Sequence, residues 1–279
     1  MSLKSSAWRI AVTSGKGGVG KTSVTVHLAR ALASQGVRVG IVDADLALGN
    51  VDVLLGLTPR WHLGHVIAGE RRLNDIMLDG PDGVRLAPAG SGVRSLTALD
   101  ATQWTRLAGA IDEFADQVDV LLFDTATGIA DTVLDVVALA DCALVVTTFD
   151  PAALVDAYAL VKLVDAMDGS RDIGVLVNAS KRAADAETAF RQLSLVAERF
   201  LSRSLRDAGS IAHDSISAAG GGARLLNGSK NAGTRRGFDD LARRLAQWRP
   251  NAQPVAARVR PPRAAELAAR MMTEVAPCA

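Results

Sequence analysis

The sequence predicts an α/β fold, a doubly wound and mostly parallel sheet with helices on both faces. Three features point to it. Short β-branched runs alternate with helical patterns along almost the whole chain. Those runs are nearly continuous in apolar residues, as strands covered on both faces by helices are. The first run leads through a glycine-rich loop straight into a helix, the start of a β-α-β-α order that gives parallel sheets. Length and composition agree: 279 residues with 49% hydrophobic content can fill a large core.

Taken in order, buried strands are expected over 8–13 (WRIAVT), 37–42 (VRVGIV), 118–123 (VDVLLF), 142–147 (CALVVT) and 173–177 (IGVLV), with a further short one near 84–87. Helices are expected over 22–34, 101–115, 151–167 and 186–204, the third opening on Pro151, which suits a first helical turn. The stretch 47–99 is punctuated by Gly and Pro and reads as short helices around that one short strand. Four prolines between 250 and 263 read as a linker to a terminal helix, so the chain divides into a domain over 1–249 and a tail over 250–279.

Charge and cysteine usage narrow the class. Thirty-one Lys and Arg stand against 30 Asp and Glu, a net charge of +1, which excludes a globally basic nucleic-acid coat and an acidic disordered protein. The two cysteines, Cys142 in an apolar run and Cys278 near the end, build neither a disulfide framework nor a cysteine zinc site. Residues 1–9 lack an apolar stretch of signal-peptide length, and the most apolar segment, 133–149, is interrupted by Asp135 and Asp141. A cytoplasmic protein is expected.

The first strand runs into Gly15-Lys16-Gly17-Gly18-Val19-Gly20-Lys21-Thr22-Ser23, which fits the phosphate-loop pattern G-x-x-x-x-G-K-[ST] in its strand–loop–helix context. Glycines let backbone N–H groups face phosphate oxygens, and the helix N-terminus adds partial positive charge. Gly15, Gly17, Gly18, Val19, Gly20 and Ser23 therefore line the nucleotide site. Lys21 is expected on the β- and γ-phosphates, with the Thr22 hydroxyl on Mg²⁺.

Asp43 and Asp45 stand one residue apart at the end of the second strand. In isolation such a pair also suits a turn or a helix cap. Beside a phosphate loop, one carboxylate can support Mg²⁺ and the other orient an attacking water. Asp124 closes four apolar residues, VLLF, in a Walker B pattern and is expected to hold Mg²⁺ through a water. His62 and His65 lie at helical spacing compatible with a metal; packing competes with that reading, and Trp61 and Trp104 are read as packing residues.

The run Lys16-Gly17-Gly18-Val19-Gly20-Lys21-Thr22 resembles the deviant Walker A motif of the MinD/ParA ATPases. That resemblance implies a MinD-like P-loop fold, ATP and Mg²⁺ as ligands, slow ATP hydrolysis, and an ATP-dependent homodimer in which Lys16 reaches the partner's phosphates. It also implies that Asp45 positions the attacking water, that Asp43 is a magnesium-side carboxylate, and that Asn50 is a second water contact. Asn178 matches the position that bonds adenine in the family, although a turn-forming Asn after a strand reads the same way.

Within the family, DADLALGNVDVLLGL (43–57) and FDPAALVDAYALVK (149–162) look like the branch of flagellar number regulators, FlhG (also FleN or YlxH). Residues 63–76, PAGSG (88–92), DTATGI (124–129), GSIAHDSISA (209–218) and FDDLARRL (238–245) agree, so the likeness covers 9–248. It implies flagellar partners: an FlhF-like GTPase, a C-ring component or a flagellar transcription regulator. Three departures stand out. Ala126-Thr127 precede Gly128 where relatives commonly have Pro-Ala or Gly-Ala, residues 219–226 carry a triple glycine, and no D-Q-A-x-x-L-R motif precedes the first strand, so stimulation of FlhF by that route is not expected.

A partition ATPase acting on DNA is the competing function. Eleven Lys or Arg between 224 and 270 face Asp239, Asp240 and Glu266, a skew that suits nucleic acid as well as a solvated helix face. No sequence-specific nucleic-acid contact is expected. The terminal helix, 263–275, groups Leu267, Met271, Met272 and Val275 on one face, opposite Arg263, Glu266, Arg270 and Glu274. Two acids offset two arginines and no Phe or Trp anchors it, so only weak, reversible contact with a membrane surface is expected.

Overall fold

The computed structural model describes residues 7–46, 49–90, 99–213 and 232–248. The strands among them are β1 (Trp8–Ser14), β2 (Val39–Asp43), β3 (Leu78–Asp79), β4 (Arg85–Ala87), β5 (Val120–Thr127), β6 (Cys142–Thr147), β7 (Asp172–Ser180) and β8 (Arg206–Ala212). They form one sheet in the order β3-β4-β2-β5-β1-β6-β7-β8, parallel throughout except where β3 pairs antiparallel with β4. The chain works outward from β1 on one side, returns to β5 beside it, and crosses to β6 on the other side. Strand order thus reverses at β1, the place where such sheets bind ligands at the carboxyl ends of their strands.

Helices α1 (Lys21–Ser34), α2 (Val51–Leu55) and α9 (Ala232–Trp248) cover one face; α3 (Leu63–Ala68), α4 (Leu73–Ile76), α5 (Ala101–Ala115), α6 (Asp131–Ala138) and α7 (Pro151–Met167) cover the other. Alternate strand residues feed the two cores. Ala11, Leu121 and Phe123 meet Phe114, Leu134 and Leu160, while Ile10, Val12 and Leu122 meet Leu28, Leu32 and Leu245. Burial on both faces is why these strands carry unbroken apolar runs. Helix α8 (Ala183–Leu201) packs beside α7 and β7.

Helices α5 and α7 occupy the spans expected for them, each behind an aspartate that caps it: Asp100 accepts from the Gln103 N–H, and Asp150 from the Ala153 N–H. Other boundaries differ. β5 runs on through Asp124 to Thr127 because Thr127 still pairs with Ser14, and β7 runs on through Asn178 to Ser180 because it pairs with β8. Helix α8 starts and ends three residues earlier than expected, stopping where Ser202 turns to φ 50°. The apolar segment 133–149 is split at 139–141 into the end of α6 and the start of β6. Strand β8 has no apolar signature, since Arg206, Asp207 and Ala212 are exposed on an edge strand. The terminal linker and helix, Cys278, and the triple glycine lie outside the described residues.

Candidate functional site

The first turn of α1 begins at Gly20, which lies at φ 89° and supplies no side-chain cap. Its leading N–H groups thus lack a side-chain acceptor, the arrangement that favours an anion. Two close approaches hold the loop in place. A Cβ on Gly15 would fall 2.2 Å from the Asp156 carbonyl of α7, so only glycine lets the loop lie against that helix. On the other side, the Asn178 Nδ2 donates to the Val19 carbonyl at 2.7 Å, and a Cβ on Gly20 would meet the same nitrogen at 2.5 Å. Asn178 stands in β7 rather than in a turn, which removes the turn-forming reading, and its amide nitrogen is committed to the loop.

Beneath the loop, Asp124 is the hub. Its Oδ1 accepts from Lys21 Nζ at 2.9 Å and from Thr25 Oγ1 at 2.9 Å, while its Oδ2 accepts from Thr22 Oγ1 at 2.7 Å. All the donors come from α1, and Lys21, Thr25 and Asp124 are buried. Lys21 and Thr22 stand where the motif places them. Thr25 was not singled out from the sequence because the motif ends at Thr22. Its spacing of four from Lys21, which puts both on one helix face, is the signal that finds it.

Asp43 faces Asp124 in register across the β2–β5 ladder. Its carboxylate accepts the N–H of Asp45 and of Val51, each at 3.2 Å. Burial first, and then the charge of Asp124, push the Asp43 carboxyl up from 3.8 to about 7, against the opposing pull of those two N–H groups and of Lys21. Asp45 follows two residues on, half-buried, and Asn50 stands exposed at the position before α2, with no capping bond from its side chain to that helix. Gly49 packs against the Asp43 carboxylate, where a Cβ would come within 2.7 Å of Oδ2.

Two buried acids beside one ammonium leave an excess of negative charge that a divalent cation relieves. The donor set therefore fits Mg²⁺, which typically takes one or two protein carboxylates and completes its shell with water and phosphate. No group of three or more His, Cys, Asp or Glu able to hold a metal occurs among the described residues.

Lys16 pairs with a residue outside this cluster. Its ammonium donates to Asp150 Oδ1 at 2.9 Å, with 41% and 48% of the two side chains exposed. The pairing, together with the Ala153 N–H, holds the Asp150 carboxyl below its ordinary range. The two histidines are structural. His62 caps α3 through the Gly64 N–H at 3.2 Å, and its ring lies 4.0 Å from that of His65, which in turn packs edge-on to Trp61. Trp104 is buried in the core, and Trp61 lies half-buried beneath the Arg71 guanidinium at 4.2 Å.

The raised Asp43 carboxyl makes stability depend on pH in a definite direction. A folded-state value near 7 against an unfolded 3.8 means the folded chain binds the proton more tightly, so its stability falls as pH rises through that interval. In nucleotide-free, EDTA-treated protein, Asp43→Asn should be more stable than wild type at pH 8, on the order of 3 kcal/mol, with the advantage vanishing near pH 4. Urea unfolding at the two pH values checks this; equal destabilisation at both contradicts it.

Comparison with known proteins agrees with this geometry. The ParA family model, described as NUBPL iron-transfer P-loop NTPase, matches residues 6–193. Antiactivator FleN of Pseudomonas aeruginosa is 46% identical over 205 residues, 74% of this chain and 73% of FleN. The flagellum site-determining protein YlxH of Helicobacter pylori is 37% identical over 160 residues, 55% of this chain and about half, 52%, of YlxH. Among solved structures, the MinC:MinD cell division protein complex of Aquifex aeolicus matches with a TM-score of 0.68 and 27% identity, covering 91% of this chain and all of that one. Iron transfer is not what the cysteine of the described residues is built for. Cys142 is buried in β6 and its thiol is pushed up to about 12 by burial, far from the thiolate a metal needs. With its phosphate loop, its paired carboxylates and these relatives, the chain belongs to the ParA/MinD family of P-loop NTPases and is an ATPase that uses ATP with Mg²⁺.

Proposed function

We propose that this ATPase is a dimerising switch that regulates flagellar number and placement. The observation that carries the reading is the 46% identity to the antiactivator FleN, which runs over most of both chains. YlxH, named for determining the flagellum site, supports the same assignment. The DNA-partition alternative draws less support. In the described part of the basic run, Arg243 is paired with Asp240 and Arg244 with Asp207.

The residues divide the work as follows. Lys21 exchanges the Asp124 carboxylate for the β- and γ-phosphates of ATP, with backbone N–H groups from Gly15 to Ser23 around them. Thr22, Asp43 and Asp124 would hold Mg²⁺, which would supply charge neutralisation on the phosphates. Asp45 accepts a hydrogen bond from the attacking water and fixes its direction, with Asn50 as a second contact. Lys16 leaves Asp150 and neutralises charge on the ATP of a second copy of the chain, the role an arginine finger has elsewhere. Asn178, anchored on Val19 through its nitrogen, keeps its carbonyl oxygen as the acceptor suited to the adenine amino group.

Closure of the dimer creates the surface read by flagellar partners: an FlhF-like GTPase, a C-ring component or a flagellar transcription regulator. Hydrolysis reopens it. The protein works in the cytoplasm, at times at the inner membrane surface. The tail over 250–279 gives weak, reversible membrane contact that becomes appreciable when the dimer doubles it. Among the described residues no helix is long and apolar enough to cross a membrane.

Four measurements test this. Deleting the gene should change the number or placement of flagella counted per cell, and unchanged counts overturn the flagellar reading. Lys21→Ala should lower ATP affinity at least about 100-fold, from loss of the charged phosphate contact. Lys16→Ala should bind ATP nearly as wild type yet stay monomeric; equal loss of binding in both, by titration, contradicts the role across the dimer. Asp45→Ala should bind ATP, turn over at less than about 1% of the wild-type rate, and remain dimeric on size-exclusion chromatography with ATP and Mg²⁺. Wild-type turnover, or a monomer, removes Asp45 from that role.

A further inference from the structure

The Asp124 carboxylate has three side-chain donors, and the site as proposed above calls two of them away. Lys21 goes to phosphate and the Thr22 hydroxyl goes to the cation. A buried carboxylate losing two of three hydrogen bonds would be free to rotate, at the moment its direction matters most. Thr25 is the donor that stays.

Thr25 lies in the second turn of α1, fully buried, with Oγ1 2.9 Å from Asp124 Oδ1. The same hydroxyl stands 3.1 Å from the carbonyl of Lys21, the ordinary back-bond of a threonine inside a helix. A hydroxyl has one proton to give, and an ionised carboxylate is the stronger acceptor. The proton therefore belongs to Asp124, and the helix carbonyl only fixes the rotamer. Neither contact reaches outward to where phosphate binds. Thr25 also touches the backbone of the very lysine that shares Oδ1 with it, so that release of the Lys21 ammonium leaves the threonine where it was.

We infer that Thr25 is a positioning residue for the magnesium site: its hydroxyl retains Asp124 in its metal-facing orientation while Lys21 and Thr22 exchange partners. The inference rests on the reading of Asp124 as a magnesium-side carboxylate. It separates Thr25 from a packing residue, because a packing role would be met by any side chain of similar shape. It also makes a distinction between nucleotide binding as such and the increase in that binding which Mg²⁺ brings.

The experiment uses the full chain and reads the ratio of ADP dissociation constants in EDTA and in Mg²⁺ by calorimetric titration. Binding of Mn²⁺ to the ADP complex, followed by electron paramagnetic resonance, gives a second measure that does not depend on turnover. Thr25→Val keeps the shape and removes the hydroxyl. It should lower the Mg²⁺ enhancement about tenfold, the usual loss when a group holding a metal ligand is removed. Its ADP affinity in EDTA should stay within about twofold of wild type. Thr25→Ser should restore the enhancement to within about twofold. Should the valine variant fail to fold, Thr25→Ala against Thr25→Ser gives the same comparison. An undiminished enhancement in the folded Val or Ala variant, or an equal loss in Ser, overturns the inference. Asp124→Asn tests the underlying reading separately. If Mg²⁺ enhancement survives there, Asp124 is not the magnesium-side group; if it is lost there but kept in Thr25→Val, only the role of Thr25 fails.

Discussion

Asp124 joins the central sheet to the helix that starts the phosphate loop, and the geometry of the site follows from that junction. It sits in β5, next to β1, and takes hydrogen bonds from three side chains of α1. Lys21 is thereby kept in a buried position although nothing apolar stabilises its ammonium. Such a cluster is stable only while every member is paired, since a buried charge left alone costs several kcal/mol. Asp124 is the anion that keeps Lys21 in place.

Around this junction the loop is pinned from both sides by contacts that do not involve ligand. Helix α7 abuts Gly15 with its backbone, and β7 presents Asn178 to Val19. The elements that meet the loop are thus the two that follow β6 in the chain, on the far side of the strand-order reversal. Of these two, α7 also carries the exposed Val155 and follows the exposed Phe149.

Much of this was legible in the sequence, for identifiable reasons. The loop was readable because its spacing is set by phosphate geometry and its context is a strand followed by a helix. The central strands were readable because burial on two faces leaves only apolar residues in them. What escaped was structure whose residues take their character from a neighbour. β8 is polar because it is an edge, with Arg206 paired to Asp172 and Arg244 reaching Asp207. α6 disappeared into an apolar run that continues into β6. Asp124 and Asn178 looked like residues just past a strand, whereas pairing with β1 and β8 carries those strands beyond them. Thr25 escaped because a motif marks contacts to ligand, and its partner is another side chain.

Asp150 holds two positions at once, as N-cap of α7 and as the partner of Lys16. Both bonds end on the same oxygen, Oδ1, yet they differ in what holds them. The ion pair is close to half exposed, and pairs open to water are weak and easily given up. The cap is a bond to the helix's own Ala153 N–H, and a carboxylate at a helix N-terminus is favourable with or without a lysine beside it. Lys16 is therefore tethered to an anchor that does not move when the tether opens. Recapture needs no refolding of α7, so the lysine can leave this resting place and regain it at little cost.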